Sequence, residues 1–140
     1  MKPDSIVLHH SLTPDYHTVS WRAIRGYHTQ KLGWQDIGYH FGIERVGRVY
    51  EVFAGRPLNM VGAHCKQQGM NHRSIGICFV GNFDDSEVPD RQWLTGLKLV
   101  KGLIDVLEIP KESIHGHNEF ATYKTCPGSF FDVEQFIQEL

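Results

Sequence analysis

The chain is poor in several features that would each announce a class of protein. No apolar run approaches the roughly 18 residues a transmembrane helix needs. Basic and acidic residues nearly balance, 14 against 16, for a net charge of −2, and no polybasic run occurs. The electrostatic footprint of a nucleic-acid binder or of a membrane-surface segment is therefore missing. One lysine precedes an apolar run, Ile6 to His9, that is too short for a secretory h-region of roughly 7–15 residues. The expectation is a protein made and kept in the cytoplasm until it is released. Three cysteines, Cys65, Cys78 and Cys126, are odd in number and form no disulfide framework. Repeats, low-complexity segments and linkers are absent, which leaves one domain over residues 1–140. Local zinc motifs of the HExxH or CxxC kind are absent too, so any metal site must be assembled from distant positions.

What is present is ordinary globular usage, 41% apolar and 21% charged, with one oddity: nine histidines. They motivate a search for a metal or acid–base site. Ser5 to His9 reads as a short buried strand whose end delivers His9 and His10 to a sheet edge, with opposite side-chain directions. Thr13, Pro14 and Asp15 signal a turn. A helix is expected over about Ser20 to Leu32, capped by Thr18 or Ser20 and stopped at Gly33. Period-two alternation from Tyr39 to Val52, turning at Val46–Gly47–Arg48, reads as a hairpin. A long irregular loop covers Phe53 to Asn71, and Ser74 to Val80 is the clearest central strand. Asp90 is expected to cap a long helix to Leu107, with Leu94, Leu97, Val100, Ile104 and Leu107 as its apolar stripe. A short strand at Ser113 to His115 and a last helix capped by Asp132, with Val133, Phe136, Ile137 and Leu140 on one face, complete the chain. The fold class is α/β: a mixed central sheet flanked by helices.

The segment Gly116 to Gly128, GHNEFATYKTCPG, puts His117, Lys124 and Cys126 among turn formers. Folded back, it can offer His117 and Cys126 to one ion, with His9 at a strand end as the third ligand. Imidazole and thiolate are groups that Zn²⁺ prefers, and three protein ligands with one open position mark a catalytic zinc. His115 competes with His117. A buried thiol and two surface histidines are the competing reading of the same residue types. His10 and His40 read as structural, and His17, His28 and His72 as surface or packing. Cys65 and Cys78 read as reduced core thiols.

Four blocks in order carry a resemblance: IVLHHS (Ile6 to Ser11), GWQDIGYHFGIERVGRVYE (Gly33 to Glu51), GAHCKQQGMNHRSIGICFVGNF (Gly62 to Phe83) and GHNEFATYKTCPG. Together they are similar to the type 2 N-acetylmuramoyl-L-alanine amidases, the family of the small amidase lysozymes of phages and of the peptidoglycan-recognition proteins. The resemblance implies zinc as cofactor on His9, His117 and Cys126, and Tyr39 and Lys124 as catalytic residues. It implies hydrolysis of the amide between N-acetylmuramic acid and L-alanine of peptidoglycan, in a phage or prophage endolysin. The cysteine ligand is replaced in inactive recognition proteins, so Cys126 favours an enzyme. His64, Asn71 and Arg73 lie in a region that borders the family's peptide groove and are candidate substrate contacts; Arg73 suits a carboxylate. A binding module without hydrolysis and a cytoplasmic muropeptide-recycling amidase are the alternatives. Expected partners are peptidoglycan or muropeptides, without nucleic acid or membrane, in a monomer. No residue indicates a regulatory partner such as a polymerase.

Overall fold

The structure, a computed structural model, describes residues 1–13 and 20–140. Most of the expected turn at Thr13–Pro14–Asp15, the capping candidate Thr18 and His17 lie outside the described residues.

Among the described residues, five strands form one sheet in the order β3-β2-β4-β1-β5. They are β1 (Ser5–His10), β2 (Phe41–Val46), β3 (Val49–Ala54), β4 (Ser74–Phe79) and β5 (Ile114–Gly116). β1 runs parallel to β4 and β5, β4 parallel to β2, and the β2–β3 hairpin is antiparallel. The mixed sheet expected from the sequence is therefore found. β1 and β4 are buried at every residue, because both faces of the sheet are covered.

Side-chain alternation sorts these strands into two faces. Ile6, Leu8, Ile75, Ile77 and Phe79 point to the main core, under α2 (Asp90–Leu107) and α3 (Val133–Gln138). Val7 and Cys78 point the other way, toward Trp21 and Ile24 of α1 (Trp21–Gly26) and toward Cys65 and Met70. Two glycines keep this second face shallow. A Cβ on Gly42 would lie 2.3 Å from the Trp21 ring, and one on Gly76 would lie 2.5 Å from His64. Large side chains thus lie directly on the backbone of the sheet, and His9 stands among them.

Several boundaries differ from the sequence reading. Of the two expected caps, Ser20 lies within the described residues and caps α1, its side chain accepting from the Ala23 N–H at 3.2 Å. The helix then widens into a π-type turn, Tyr27–Lys31, before Gly33 at φ +70°. Tyr39 and His40 precede β2 rather than lying in it, and the hairpin turns on two residues, with Gly47 at φ +62°. The loop after β3 ends in a 3₁₀ segment, Gln67–His72. Asp90 does not cap α2: Pro89 holds the cap position and Asp90 is the first helical residue, where its charge still suits the helix dipole. The apolar stripe of α2 is also rotated. Leu94 is 54% exposed, while Gln92, Gly96, Val100, Leu103 and Ile104 are buried. Gln92 turns inward because its Nε2 donates to the carbonyls of Ile43 (3.0 Å) and Val80 (2.9 Å). Gly96 turns inward because a Cβ there would meet the Phe79 ring at 2.4 Å. Asp132 caps α3 as expected, accepting from Gln135 N–H at 2.8 Å.

Candidate metal centre and cleft

His9 is the penultimate residue of β1, and His117 directly follows the parallel strand β5. Both therefore sit at carboxyl ends of parallel strands, the crevice where α/β sheets present their ligands. Cys126 arrives on the loop after His117. Its carbonyl accepts from the Asn118 N–H at 2.7 Å, which folds the loop back over His117. Asp84, after β4, fixes the same loop from the outside: its carboxylate accepts from the Thr125 hydroxyl (2.7 Å) and from the N–H (2.9 Å) and hydroxyl (3.1 Å) of Ser129. Those bonds, led by Thr125, hold the Asp84 carboxyl below its usual range.

The donor atoms of His9, His117 and Cys126 all lie within 4.8 Å of one another. The His9 Nδ1 is 3.6 Å from the Cys126 Sγ, and the His9 and His117 rings are 4.6 Å apart between centroids. Zinc–nitrogen and zinc–sulfur bonds of about 2.0–2.1 and 2.3 Å at a tetrahedral angle give an N···S edge of about 3.6 Å. Among the described residues, His117 Nε2 is buried without a hydrogen-bond partner, a state native proteins avoid unless something else satisfies the atom. The donor set, its spacing and that orphaned nitrogen all fit a divalent metal.

The electrostatics agree. Burial pushes His9 well below the usual histidine range, helped by His64, His117 and Lys124. Burial and then Lys124 lower His117 to about 4. Both imidazoles are thus neutral near pH 7, with lone pairs available. Burial raises the Cys126 thiol to about 12. A thiolate there needs a positive charge beside it, which a metal supplies.

These groups form the floor of a cleft of about 830 Å³. Tyr39 and Lys124 both line it. The Tyr39 ring is 5.2 Å from His9 between centroids. Burial first, then Cys78 and Cys126, raise its phenol well above the ordinary value, so it stays protonated and can donate. Lys124 is exposed, with its N–H on the Ala121 carbonyl at 2.8 Å and its ammonium 6.0 Å from the Tyr123 ring centre. His115, the competitor of His117, turns away and pairs with Glu119 at 2.8 Å.

The remaining candidates are placed less uniformly. His64 is in the cleft wall but only 8% exposed, its Nδ1 3.0 Å from His9 Nε2 and its Nε2 3.3 Å from the Ser74 carbonyl oxygen. Asn71 lines the cleft, with its Oδ1 accepting from the His64 and Cys65 N–H groups at 2.8 Å each. Arg73 is not brought to the cleft. It precedes β4, at the end of the sheet away from His9, and its guanidinium grips Asp4 at 2.9 and 2.8 Å. His10 faces the opposite side and accepts from the Phe83 N–H at 3.2 Å. His40 is buried, accepting from Gly76 N–H at 3.0 Å.

The sequence reading missed other cleft residues. His28, read as surface or packing, lines the cleft beside Trp34, with ring centroids 4.6 Å apart. Gln67 donates to the Tyr123 hydroxyl at 2.8 Å and joins the 3₁₀ segment to the Cys126 loop. No spacing rule links residues on separate loops, so nothing in the sequence pointed to them.

Comparison with known proteins agrees with this geometry. A family model described as N-acetylmuramoyl-L-alanine amidase matches residues 1–129. The endolysin of Escherichia phage T7 is 38% identical over 97% of this chain and 86% of its own length. Peptidoglycan-recognition protein LB of Drosophila melanogaster is 34% identical over 88% of this chain and 53% of its own length. Among solved structures, the N-acetylmuramoyl-L-alanine amidase LysC from Clostridium intestinale URNW superposes with a TM-score of 0.85 at 31% identity, covering 99% of this chain and 85% of its own. With the family model matching most of its length and relatives at this identity and coverage, the chain belongs to the N-acetylmuramoyl-L-alanine amidase family.

Proposed function

We propose that the chain is a zinc-dependent hydrolase that cleaves the amide between N-acetylmuramic acid and L-alanine of bacterial peptidoglycan, with residues 1–140 as one catalytic domain. The observation that carries this reading is the cluster of donor atoms from His9, His117 and Cys126, all within 4.8 Å of one another on the cleft floor, beside a His117 Nε2 buried without a hydrogen-bond partner among the described residues. These three residues would hold the ion. Bound zinc supplies Lewis acidity toward a carbonyl oxygen and acidifies water.

The rest of the work falls to the chain. The cleft holds the stem peptide and the sugar beside the metal ligands. Lys124, two residues before Cys126, brings a positive charge to the mouth of the site, where negative charge develops on the carbonyl oxygen. Tyr39 brings a protonated phenol to the cleft beside His9, a donor for the same oxygen or for the attacking water. Endolysins among its relatives support a role at the wall after a stay in the cytoplasm of an infected or lysogenic cell. No described helix is long and apolar enough to cross a membrane.

The test measures metal content and newly exposed L-alanine amino termini on purified peptidoglycan. About one zinc per chain is expected, with hydrolysis lost on chelation and restored by zinc. One zinc with no new amino termini would replace the enzyme by a peptidoglycan-binding module. No zinc and no hydrolysis would return the three ligands to ordinary packing.

A further inference from the structure

We propose that His64 is a positioning residue for the metal ligand His9: by accepting a proton from His9 Nε2, it presents the Nδ1 lone pair of His9 to the metal. The inference rests on the metal-site reading above and adds a role to a histidine outside the ligand set.

The assignment follows from donor and acceptor chemistry alone. The Ser74 carbonyl oxygen can only accept, so the His64 Nε2 that lies 3.3 Å from it carries the hydrogen. A neutral imidazole carries one, so His64 Nδ1 is bare and can only accept. His9 Nε2, 3.0 Å from that nitrogen, must therefore be the donor. His9 then keeps its hydrogen on Nε2, and its Nδ1, 3.6 Å from the Cys126 sulfur, is left with a free lone pair. The chain Ser74, His64, His9 thus fixes one tautomer out of two before any ion arrives. Ligating histidines usually lean on a carboxylate or a carbonyl for this purpose; here a second imidazole stands between the ligand and the carbonyl.

The surroundings hold His64 in that role. A Cβ on either Gly62 or Gly76 would come within 2.5 Å of its ring, so the ring lies against two bare stretches of backbone. Asn71 fixes its main chain. His40, whose ring stands edge-on to His64 with centroids 5.7 Å apart, does not compete: its Nδ1 accepts from the Gly76 N–H, and its Nε2 faces the Met60 carbonyl at 3.0 Å. With both ring nitrogens of His64 engaged and its surface almost wholly covered, what it offers is orientation rather than contact with substrate.

The test compares His64→Leu, which removes the acceptor at similar bulk, with His64→Asn, whose amide oxygen reaches close to the place of Nδ1. Zinc affinity is read by competition with a chelator, and ring protonation by nitrogen-15 spectra of the full chain with and without zinc. In the unsubstituted protein, His9 and His64 are both expected as the Nε2–H form. His64→Leu is expected to weaken zinc about 10–100-fold, the usual cost of losing such a partner, and to leave zinc-free His9 as a mixture of tautomers. His64→Asn should restore affinity to within about threefold. Native-like affinity in His64→Leu, or equal loss in both variants, would overturn the proposal while leaving the metal site standing. So would Nδ1–H on His9 in the unsubstituted zinc-free protein, a result that decides the matter even if His64→Leu fails to fold. If the unsubstituted protein binds no zinc at all, the metal-site reading fails and this proposal falls with it.

Discussion

Cys126 shows how a single residue's burial sets the chemistry of binding. Its thiol is raised to about 12 and His117 is lowered to about 4. At neutral pH, then, only the thiol has a proton to lose when a metal arrives. Zinc binding at pH 7 is expected to release about one proton from the thiol plus the fraction given up by water that the ion acidifies, seen as a dependence of the calorimetric heat on the buffer's ionisation enthalpy. Release of none would contradict the ligand set. Lys124 and Tyr39 belong to a different class, because neither holds the metal. Lys124→Ala and Tyr39→Phe should each leave zinc content unchanged and cost about 3 kcal/mol in the transition state, roughly a hundredfold in kcat. The chain's own residue types made His9, His117 and Cys126 worth grouping. Tyr39 and Lys124 gained their roles only from family resemblance, since a tyrosine before a strand and a lysine in a loop have no distinctive spacing. Arg73 shows the limit of residue-type reasoning: a guanidinium suited to a carboxylate found one, but on Asp4 of its own chain.

At the scale of elements, α2 shows what hydrophobic periodicity conveys and what it omits. Val100, Ile104 and the helix limits were legible because apolar spacing marks a buried stripe. Leu94 was misplaced because the first turn is oriented by a polar side chain and a glycine. Gln92 turns inward to reach the carbonyls of Ile43 and Val80, and Gly96 lets the helix close on Phe79. No pattern of apolar letters encodes either contact. Chemical denaturation tests the rotated stripe. Leu94→Ala should change stability by no more than about 0.5 kcal/mol, as surface changes do. Ile104→Ala should cost about 2–5 kcal/mol, the range for emptying a core position. Equal losses would restore the stripe first read from the sequence. The strands were legible for a similar reason, β1 and β4 being short apolar runs covered on both sides. The cleft walls were not, because His28, Gln67 and Tyr123 reach the cleft from separate segments that no sequence pattern ties together.

The whole molecule carries an unusual load of uncharged histidine. Desolvation holds His9, His40, His64 and His117 below the usual histidine value, His64 as far as about 3. Unfolding frees each of them to take up a proton near pH 6.5. Above that pH both states are neutral and nothing is lost. As pH falls below about 6.5 the unfolded chain binds protons that the folded chain refuses, so stability declines by up to about 1.4 kcal/mol per pH unit for each histidine until its folded value is reached. The zinc-free protein should therefore show a melting temperature that is flat near neutrality and falls steeply on acidification; a flat profile down to pH 4 would mean these rings are hydrated. A last consequence concerns the path between two of the metal ligands. His9 and Cys126 are separated by 117 positions along the chain. An ion held by both closes most of the polypeptide into a ring, so it works as a reversible cross-link as well as a reagent. Closing a loop of about 100 residues removes about 4.7 kcal/mol of denatured-state freedom in the simple entropic treatment of disulfides. An ion held by His9 and Cys126 would thus also clasp the first strand to the Cys126 loop, and the zinc-free protein is expected to stay folded but to melt at a lower temperature than the zinc-loaded one.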